Sequence, residues 1–331
     1  MSTHPVPPST VRRVVELATR APSVHNTQPW RWRATDRSLE VHADWSRQLH
    51  ASDPTGRNLL ISCGAALHHA QVAAEALGWS TEVRRAPEAD GSDLLARLVL
   101  FPAPQSPNAK AKAKAKGVLE SIESRRTDRR RFTSWPVPAE RLHNLASSAA
   151  DQGATALPLT DVTHRFRTER LVDHATELMR TTRSLVQEQE EWLDRSSVDG
   201  VPSAMAPELP GHALTPASRF APTELDDLGD RDLEGTDGLI ALVDTQDAPS
   251  AWLTAGEGLS ALWLRATLGG LSVVPLSQVV EVDETRDAFT LDVLGGRTRP
   301  LLLLRIGWQS MGRGGLPRTP RRPVDDVLTW L

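Results

Sequence analysis

The chain has 331 residues, of which 39% are apolar and 24% are charged, and 38 basic against 42 acidic side chains give a formal net charge of −4. This composition supplies enough apolar material for a folded core and argues against a disordered chain. The near-neutral charge gives no overall electrostatic reason to bind nucleic acid. A single cysteine, Cys63, excludes an internal disulfide and a multi-cysteine metal site.

The sequence contains no pattern typical of a targeting or membrane segment. No apolar run approaches the roughly 18 residues that a transmembrane helix needs. Arg12-Arg13 is followed by a stretch that is too short and too charged to be the apolar part of a twin-arginine signal. We therefore expect a cytoplasmic protein with no membrane partner.

The first 101 residues predict helices alternating with short strands. The main helix carries Leu60, Leu67 and Ala74 at helical spacing, and Gly78 is its expected stop. In chain order, the expected elements are a helix from a Ser9 or Thr10 cap to about Arg20, strands near 31–34 and 39–44, the long helix over 56–77, and strands near 80–85 and 94–101.

Residues 102–117 read PAPQSPNAKAKAKAKG and contain every lysine of the chain. Three prolines followed by alternating alanine and lysine indicate a linker or a solvated helix start. A polybasic membrane patch is the alternative, and it lacks the amphipathic apolar face that usually accompanies one.

The second part of the chain repeats the first at a distance. The helix near 138–150 aligns with 10–22 at an offset of 128 residues, and the helix near 250–270 aligns with 58–78 at an offset of 192. Because the offsets differ by 64, the second half carries an insertion of that size. It is expected to hold a helix at 165–195 and a long irregular segment, 196–236, as a candidate lid.

Two candidate sites, one for a dinucleotide and one for a metal, are rejected because of where their residues lie in the predicted elements. Gly256 and Gly258 match the G-x-G-x-x-A dinucleotide pattern, but they lie inside a predicted helix instead of between a strand and a helix. His68 and His69 are adjacent on the long helix and point in different directions, so a shared metal is not expected.

Three short segments and the C-terminal stretch stand out instead. The segments are Pro22–Trp30, Glu123–Phe132 and Val273–Gln278, and the stretch is the basic 318–322. Five arginines in seven residues, 125–131, suit bidentate phosphate binding, and the second arginine group could close on the same anion. A solvated basic face is the alternative.

These segments together resemble the nitroreductase family of flavoproteins. APSVHNTQPW looks like its A/S-P-S-x-x-N-x-Q-P-W loop, and RRTDRRRF looks like its R-R-S-x-R-x-F element at the flavin phosphate, with one residue more. VVPLSQ looks like its V-P-x-x-G/Q segment beside the flavin ring, and LPRTPRRPVDDVL looks like its basic tail.

The order of the segments departs from the family pattern, in which the arginine element precedes the A-P-S loop. Here the loop lies in the first half, and the second half contains the arginine element, the ring segment and the tail. The counterpart of the loop in the second half, near 149–154, has lost its Pro, Asn and Gln-Pro-Trp. The chain is thus similar to the Acg-type branch: an asymmetric fused dimer with one intact site between its halves. The expected fold is α+β, with a truncated half at 1–101, a linker at 102–117, a second half at 118–331, and in each half a mostly antiparallel sheet flanked by helices.

The resemblance implies FMN as the cofactor and a site assembled from both halves. It assigns the arginines to the flavin phosphate, Thr127 to a hydroxyl contact, and the ring segment's backbone N–H groups to the flavin edge. Asp128 would orient the arginines. The implied cofactor-binding residues are Pro22, Ser23, His25, Asn26, Gln28, Arg125, Arg126, Thr127, Arg129, Pro275, Leu276, Ser277, Arg318, Arg321 and Arg322.

Three functions remain open at this point. The first is an NAD(P)H-dependent FMN oxidoreductase that passes hydride to a quinone, nitro compound or similar small acceptor, with no catalytic side chain and no metal required. The second is a non-catalytic protein that sequesters FMN behind the lid, and the third is a flavin-free scaffold. Fusion favours a monomer, Trp30 and Trp32 are expected in the core, and Cys63 is expected to be a buried helix residue. His25 either contacts flavin or caps backbone groups.

Overall fold

The computed structural model describes residues 5–86, 93–103, 109–202, 237–309 and 318–331. The first half contains α1 Pro8–Ala18, β1 Trp30–Ala34, β2 Ser38–Ala43, α2 Arg57–Ala76, β3 Trp79–Arg85 and β4 Leu94–Pro102. There follow α3 Ala109–Ser124, α4 Ala139–Ala150, β5 Thr155–Pro158, α5 Val162–Thr181, α6 Arg183–Glu191, β6 Gly238–Asp244, α7 Pro249–Leu268, β7 Leu271–Pro275, α8 Gln278–Glu281, α9 Asp283–Asp292, β8 Arg299–Trp308, α10 Val324–Val327 and β9 Leu328–Trp330.

The two halves contain sheets of the same topology. The first is ordered β3-β4-β2-β1 and the second β7-β8-β6-β5, with antiparallel pairing throughout each series. Since α1 and α4 precede these strands and α2 and α7 interrupt them at matching points, the predicted internal repeat is confirmed. The α+β class and the mostly antiparallel sheets are confirmed as well.

The C-terminal strand crosses to the other half. β9 pairs in parallel with β1, in the register Trp32 to Leu328, and becomes the edge of the first sheet. The predicted boundary, which gave 118–331 entirely to the second half, misses this exchange. Pattern analysis could not detect it, because a three-residue strand has too little period to show which sheet it joins.

Helices α2 and α7 cross at two glycines that the 192-residue offset had aligned. A Cβ on Gly64 would lie 2.0 Å from the carbonyl oxygen of Leu253, and a Cβ on Gly256 would lie 2.0 Å from that of Ile61. Only glycine permits so close an approach of two backbones. These residues therefore fix the crossing of the two halves. Gly256, which matched the rejected dinucleotide motif, thus serves helix packing.

The start of α1 differs from the prediction. The helix begins at Pro8 with Pro7 as its N-cap residue, and no side chain caps it. Proline suits the first helical position because its φ is already helical and its missing N–H would have no partner there. Ser9 and Thr10 consequently lie inside the helix instead of capping it. The stop of α2 is as predicted, since Gly78 adopts a φ of 88°.

The insertion contains two helices where one was predicted over 165–195. Thr182 is extended, with φ −91° and ψ 103°, and separates α5 from α6. Two consecutive β-branched residues, Thr181 and Thr182, weaken the helix here, and both hydroxyls donate to the carbonyl of Leu178 instead. Of the candidate lid at 196–236, only 196–202 falls in the described residues.

The predicted linker is partly helical. α3 begins at Ala109, which agrees with the solvated helix start that was one of the two interpretations of 102–117. Lys116 forms an exposed i,i+4 ion pair with Glu120. Within the described ranges, every helix is too short or too polar to cross a bilayer.

The main core joins both halves. Trp30 and Trp32 of β1 are fully buried in it, as predicted, together with α2, α7 and strands of both sheets. Cys63 is also buried there, and its thiol donates to the carbonyl of Pro29 at 3.1 Å. A second, smaller core lies under α5, α8 and α9.

Candidate functional site

A cavity of about 960 Å³, including its open mouth, lies between the halves. Segments far apart in sequence contribute its walls: the loop after α1, the start of α2, the segment after α3, the middle of α7 and the tail. The lining residues are Pro22, Ser23, Val24, His25, Asn26, Asn58, Ile61, Ser62, Arg125, Arg126, Thr127, Arg129, Val201, Leu259, Trp263, Pro275, Ser277, Leu302, Thr319 and Arg321.

The loop after α1 has an unusual backbone. His25, Asn26 and Gln28 have φ values of 45°, 55° and 48°, in the left-handed region that residues other than glycine rarely adopt. Side-chain hydrogen bonds hold this conformation, because Ser23 Oγ accepts from the N–H of Gln28 at 3.0 Å and Ser62 Oγ accepts from the N–H of Val24 at 3.2 Å. Such local strain commonly occurs at binding sites.

Gln28 does not line the cavity, contrary to the prediction. Its side chain is fully buried, donates from Nε2 to the carbonyl of Val198 at 2.9 Å and accepts at Oε1 from the N–H of Arg322 at 2.8 Å. It therefore joins the tail to residues 196–202, which we term the strap. The motif could not show this, because the strap and tail lie about 170 and 294 residues away.

Asn26 lines the cavity and also takes part in this junction. Its Nδ2 donates to the carbonyls of Gly200 at 2.9 Å and Pro320 at 3.1 Å, and its Oδ1 accepts from Arg321 Nη1 at 3.0 Å. Asp199 of the strap binds Arg47, whose Nε donates to the carbonyl of Thr27. Loop, strap and tail thus form one hydrogen-bonded unit.

Arg125 is the most unusual side chain of the site. It is 4% exposed, its guanidinium carbon lies 4.7 Å from the Trp263 ring centre, and its Nη2 donates to the carbonyl of Arg20 at 3.1 Å. Its Nε and Nη1 are buried without a hydrogen-bond partner in the described part of the chain. Burial, followed by the charges of Arg321 and Arg126, holds the pKa of Arg125 well below its usual value.

The neighbouring residues of the arginine segment point in different directions. Arg126, Thr127 and Arg129 line the cavity, and Arg126 Nη1 donates to the carbonyls of Glu123 and Arg125 at 2.7 Å. Asp128 is turned away and accepts from Arg130 Nε at 2.8 Å and Nη2 at 2.6 Å. Asp128 therefore orients Arg130, which is not one of the arginines assigned to the phosphate.

The tail contributes one of its three predicted arginines. Arg321 lines the cavity, and burial together with the charges of Arg20 and Arg126 lowers its pKa to about 9. Arg318 is exposed and does not line the cavity. Burial is the main cause of the lowered pKa of Arg126, and the charge of Arg318 adds to it. Arg322 turns away from the cavity and lies 3.7 Å from Asp44 Oδ2. Arg321 and Arg322 thus turn to different sides, and the three arginines do not all face one anion.

The segment after β7 is only partly as predicted. Pro275 and Ser277 line the cavity, but Leu276 is buried in the smaller core and its N–H donates to the carbonyl of Leu303 at 2.8 Å. Strand pairing therefore continues past β7 and occupies that N–H group. Pro275 has no N–H, so neither Pro275 nor Leu276 offers a free backbone donor to the cavity.

Sequence analysis missed the cavity residues that come from the two crossing helices. Asn58 and Ser62 of α2 face the cavity, and Asn58 Nδ2 donates to Glu281 Oε1 at 2.8 Å. Leu259 and Trp263 of α7 line it from the other half. A signal was present, because Asn58 and Ser62 are polar residues spaced i,i+4 on either side of the apolar run 59–61.

The adjacent histidines, which were predicted to point in different directions, both contact one serine of α7. His68 Nδ1 and His69 Nδ1 lie 2.7 and 2.8 Å from Ser260 Oγ, and burial lowers the pKa of His68 to about 4. Burial also raises the pKa of the Cys63 thiol. Within the described ranges, no three His, Cys, Asp or Glu side chains are grouped as a metal site requires.

Known proteins share both the sequence and the fold. A Mycobacterium tuberculosis protein provisionally named NAD(P)H nitroreductase Rv3131 is 38% identical over 336 residues, which cover 100% of this chain and 94% of that protein. The chain belongs to the nitroreductase family of oxidoreductases. The M. tuberculosis protein provisionally named NAD(P)H nitroreductase acg is 29% identical over 326 residues, which cover 96% of this chain and 95% of that protein. This match places the chain in the Acg-type branch.

A solved structure from Anabaena variabilis, also provisionally described as a nitroreductase, has a TM-score of 0.51 and 11% identity, and the match covers 91% of this chain and 88% of that one. At this identity the match shows a shared fold and nothing about function. The match extends over both nitroreductase-like halves. No family model matches the sequence.

Proposed function

We propose that the chain binds one FMN in the cavity between its halves and uses it to transfer hydride from NAD(P)H to a small acceptor such as a quinone or nitro compound. The observation that carries the proposal is Arg125, a buried guanidinium with two nitrogen atoms that have no partner in the described residues. A buried charge without a partner is costly, and an anion in the cavity would remove that cost.

The donor set fits a phosphate at one end of the cavity. Arg125, Arg126 and Arg321 approach it from two segments, and no carboxylate charge opposes the lowered pKa of any of the three. Guanidinium forks match phosphate oxygens in pairs. Arg129 lines the same cavity and is proposed to contribute a further donor.

The other end of the cavity fits a planar, partly polar ring. It combines the apolar surfaces of Ile61, Leu259 and Pro275 with the polar groups of Asn58 and Ser277. Ser23, His25 and Asn26 close the cavity from the loop. Apolar walls with a few directed polar groups are typical of cofactor sites.

The bound flavin would supply the redox chemistry by accepting a hydride from NAD(P)H and delivering it to the acceptor. The residues of the chain bind the phosphate, hold the ring edge and limit access of water. None of them is required as an acid, base or nucleophile. Because the α2–α7 crossing already joins two nitroreductase-like halves, we also propose that the chain acts as a monomer.

FMN sequestration is the second candidate, and one observation favours it. Val201 of the strap lines the cavity, and the strap is held there by Asn26, Gln28 and Arg47. A ligand beneath so firmly bound a segment would exchange slowly, which suits storage better than alternating access by two substrates.

An absorbance spectrum of the purified chain, followed by anaerobic addition of NADH and NADPH, tests both candidates. Flavin absorbance that bleaches within seconds supports the oxidoreductase, whereas bound flavin that neither donor reduces supports sequestration. A colourless chain that does not bind added FMN contradicts both. The phosphate position is tested by combining Arg126→Ala with Arg129→Ala, because unchanged FMN affinity in that variant would exclude the proposed arginine contacts.

A further inference from the structure

A second concave surface lies next to the cavity. We term it the arginine groove; it has a volume of about 950 Å³ including open solvent, and it shares Arg321 with the cavity. It runs along α1 towards the tail. Its charged lining residues are Arg12, Arg13, Glu16, Arg20, Arg321 and Arg322.

Most of these charges are already matched by carboxylates. Arg12 binds Asp325 in a bidentate pair at 2.5 and 3.1 Å. Arg13 binds Glu16 and Glu123, each at 2.9 Å. These pairs make the outer groove nearly neutral, so they do not by themselves attract an anion.

Arg20 is different. Its backbone is fixed, because its carbonyl accepts from Arg125 Nη2 at 3.1 Å and from Arg321 Nη2 at 3.4 Å. Its side chain lines the groove and pairs with no carboxylate in the described part of the chain. Burial is the main cause of the lowered pKa of Arg126 and of Arg321, and the charge of Arg20 lowers both values further.

Four guanidinium groups therefore interact here without a carboxylate among the described residues: Arg20, Arg125, Arg126 and Arg321. A single phosphate monoester brings only about −1.5 to −2 charges. One cofactor phosphate would leave about two positive charges, and Arg20 faces the groove instead of the cavity. The surplus therefore lies where a second ligand can reach it.

The kind of anion follows from the groove's remaining chemistry. Proteins that select an unphosphorylated ribose use a free carboxylate for its hydroxyl, whereas arginine accommodates a phosphate there. The carboxylate lining the groove, Glu16, is occupied by Arg13. The groove is thus suited to phosphate oxygens and not to a bare ribose.

We propose that the arginine groove binds a phosphate group of the second ligand, with Arg20 as its main contact and Arg321 shared with the cofactor side. The inference rests on the proposed function only in assuming that this second ligand exchanges hydride with bound FMN. Two sources carry the required chemistry: the 2′-phosphate or diphosphate of NADPH, and a free phosphorylated molecule.

The test is calorimetric titration of the FMN-loaded chain with 2′,5′-ADP and with inorganic phosphate. The variant is Arg20→Gln, and the matched control is Arg170→Gln, which removes an exposed arginine of α5. We expect Arg20→Gln to weaken 2′,5′-ADP binding about tenfold and Arg170→Gln to leave it unchanged. Absence of binding to the unaltered chain, or equal binding by the Arg20→Gln variant, would overturn the proposal.

Kinetics then separate the two sources. If NADPH is the source, its KM should lie about tenfold below that of NADH, and Arg20→Gln should remove this difference. If both donors have equal KM values while the phosphate probes still bind, the source is a free phosphorylated molecule. Flavin content is read from the same samples: a chain without FMN contradicts the proposed function, and titration of that chain still tests the groove.

Discussion

The two faces of the α2–α7 pair carry different chemistry at equivalent positions. On one face, Trp263 supports the guanidinium of Arg125 beside the cavity. On the other, the residue 192 positions earlier is Gln71, whose Nε2 donates to Glu257 Oε2 at 3.1 Å. Glu257 also accepts from Arg85 Nε and Nη2 at 3.1 and 2.8 Å. One face leaves a buried cation open to an anion, and the other supplies the anion from its own side chains.

Under the proposed function, this difference accounts for one site in a duplicated fold. The packing that both faces need, at Gly64 and Gly256, is preserved symmetrically. The buried guanidinium of Arg125 lies on one face, and the ion pair of Arg85 with Glu257 occupies the other. Packing at the crossing and polar chemistry on the faces are therefore separable, and mutations at the crossing and on each face can test this.

The largest expected effect is at the crossing. Gly256→Ala should lower the free energy of unfolding by about 3 kcal/mol or more, because the new Cβ would meet the Ile61 carbonyl at 2.0 Å and both helices would have to separate. The control is Gly117→Ala in α3, where the nearest atom to a Cβ is Leu268 Cδ2 at 3.6 Å. The control should be neutral or more stable by up to about 1 kcal/mol. Equal urea midpoints for the two variants would contradict the role of the crossing.

The next effect concerns the ligand-binding face. Arg125→Gln should weaken FMN binding about 100-fold, since a charge-assisted hydrogen bond contributes about 1.5–3 kcal/mol and a second phosphate contact is lost with it. Glu257→Gln on the opposite face should leave both FMN affinity and a stoichiometry of one unchanged. Fluorescence titration of free FMN measures both. A loss of affinity in Glu257→Gln as large as that in Arg125→Gln would show that the two faces are not independent.

The sequence predicted the parts of the site that lie within one segment. Loop, arginine segment and ring segment were located, and Pro22, Ser23, Asn26, Arg125 and Pro275 do line the cavity. Each of these positions follows from a local motif with a fixed spacing.

The parts that depend on contacts between distant segments were not predictable. Gln28 was assigned to the cavity, but its partners, Val198 and Arg322, are set by how the strap and tail pack. Leu276 was assigned to the flavin edge, but its N–H is occupied by the neighbouring strand. The exchange of β9 between sheets also adds a constraint that no local pattern contains.

A smaller effect is expected where strap and tail meet. Gln28→Ala should lower the free energy of unfolding by about 2 kcal/mol, because it removes a buried side chain and leaves the partly buried Val198 carbonyl and Arg322 N–H without partners. Hydrogen exchange should increase at 198–201. Gln71→Ala on the opposite face is the control, and it should cost less because Gln71 is only partly buried. Unchanged exchange in the strap would mean that Asn26 and Arg47 hold it without Gln28.

The smallest effect is the pH dependence of Glu257. Burial raises the pKa of this carboxyl although Arg85 and Gln71 oppose the shift. A raised folded pKa means that the protonated form is favoured by folding, so this contribution to stability is complete below the unfolded pKa of about 4.3 and is lost as the pH rises through the folded value. Glu257→Gln does not titrate, so its stability relative to the parent chain should increase with pH over that interval.

Urea unfolding at several pH values above about 4.3 measures this difference. Glu82→Gln is the control with the opposite sign, because Glu82 is exposed and its hydrogen bond from Arg84 lowers its pKa. Its small contribution should be lost on acidification instead. If the stability of Glu257→Gln relative to the parent chain were to fall as the pH rises, the ion pair with Arg85 would outweigh burial, and this face would be stabilised by its charge.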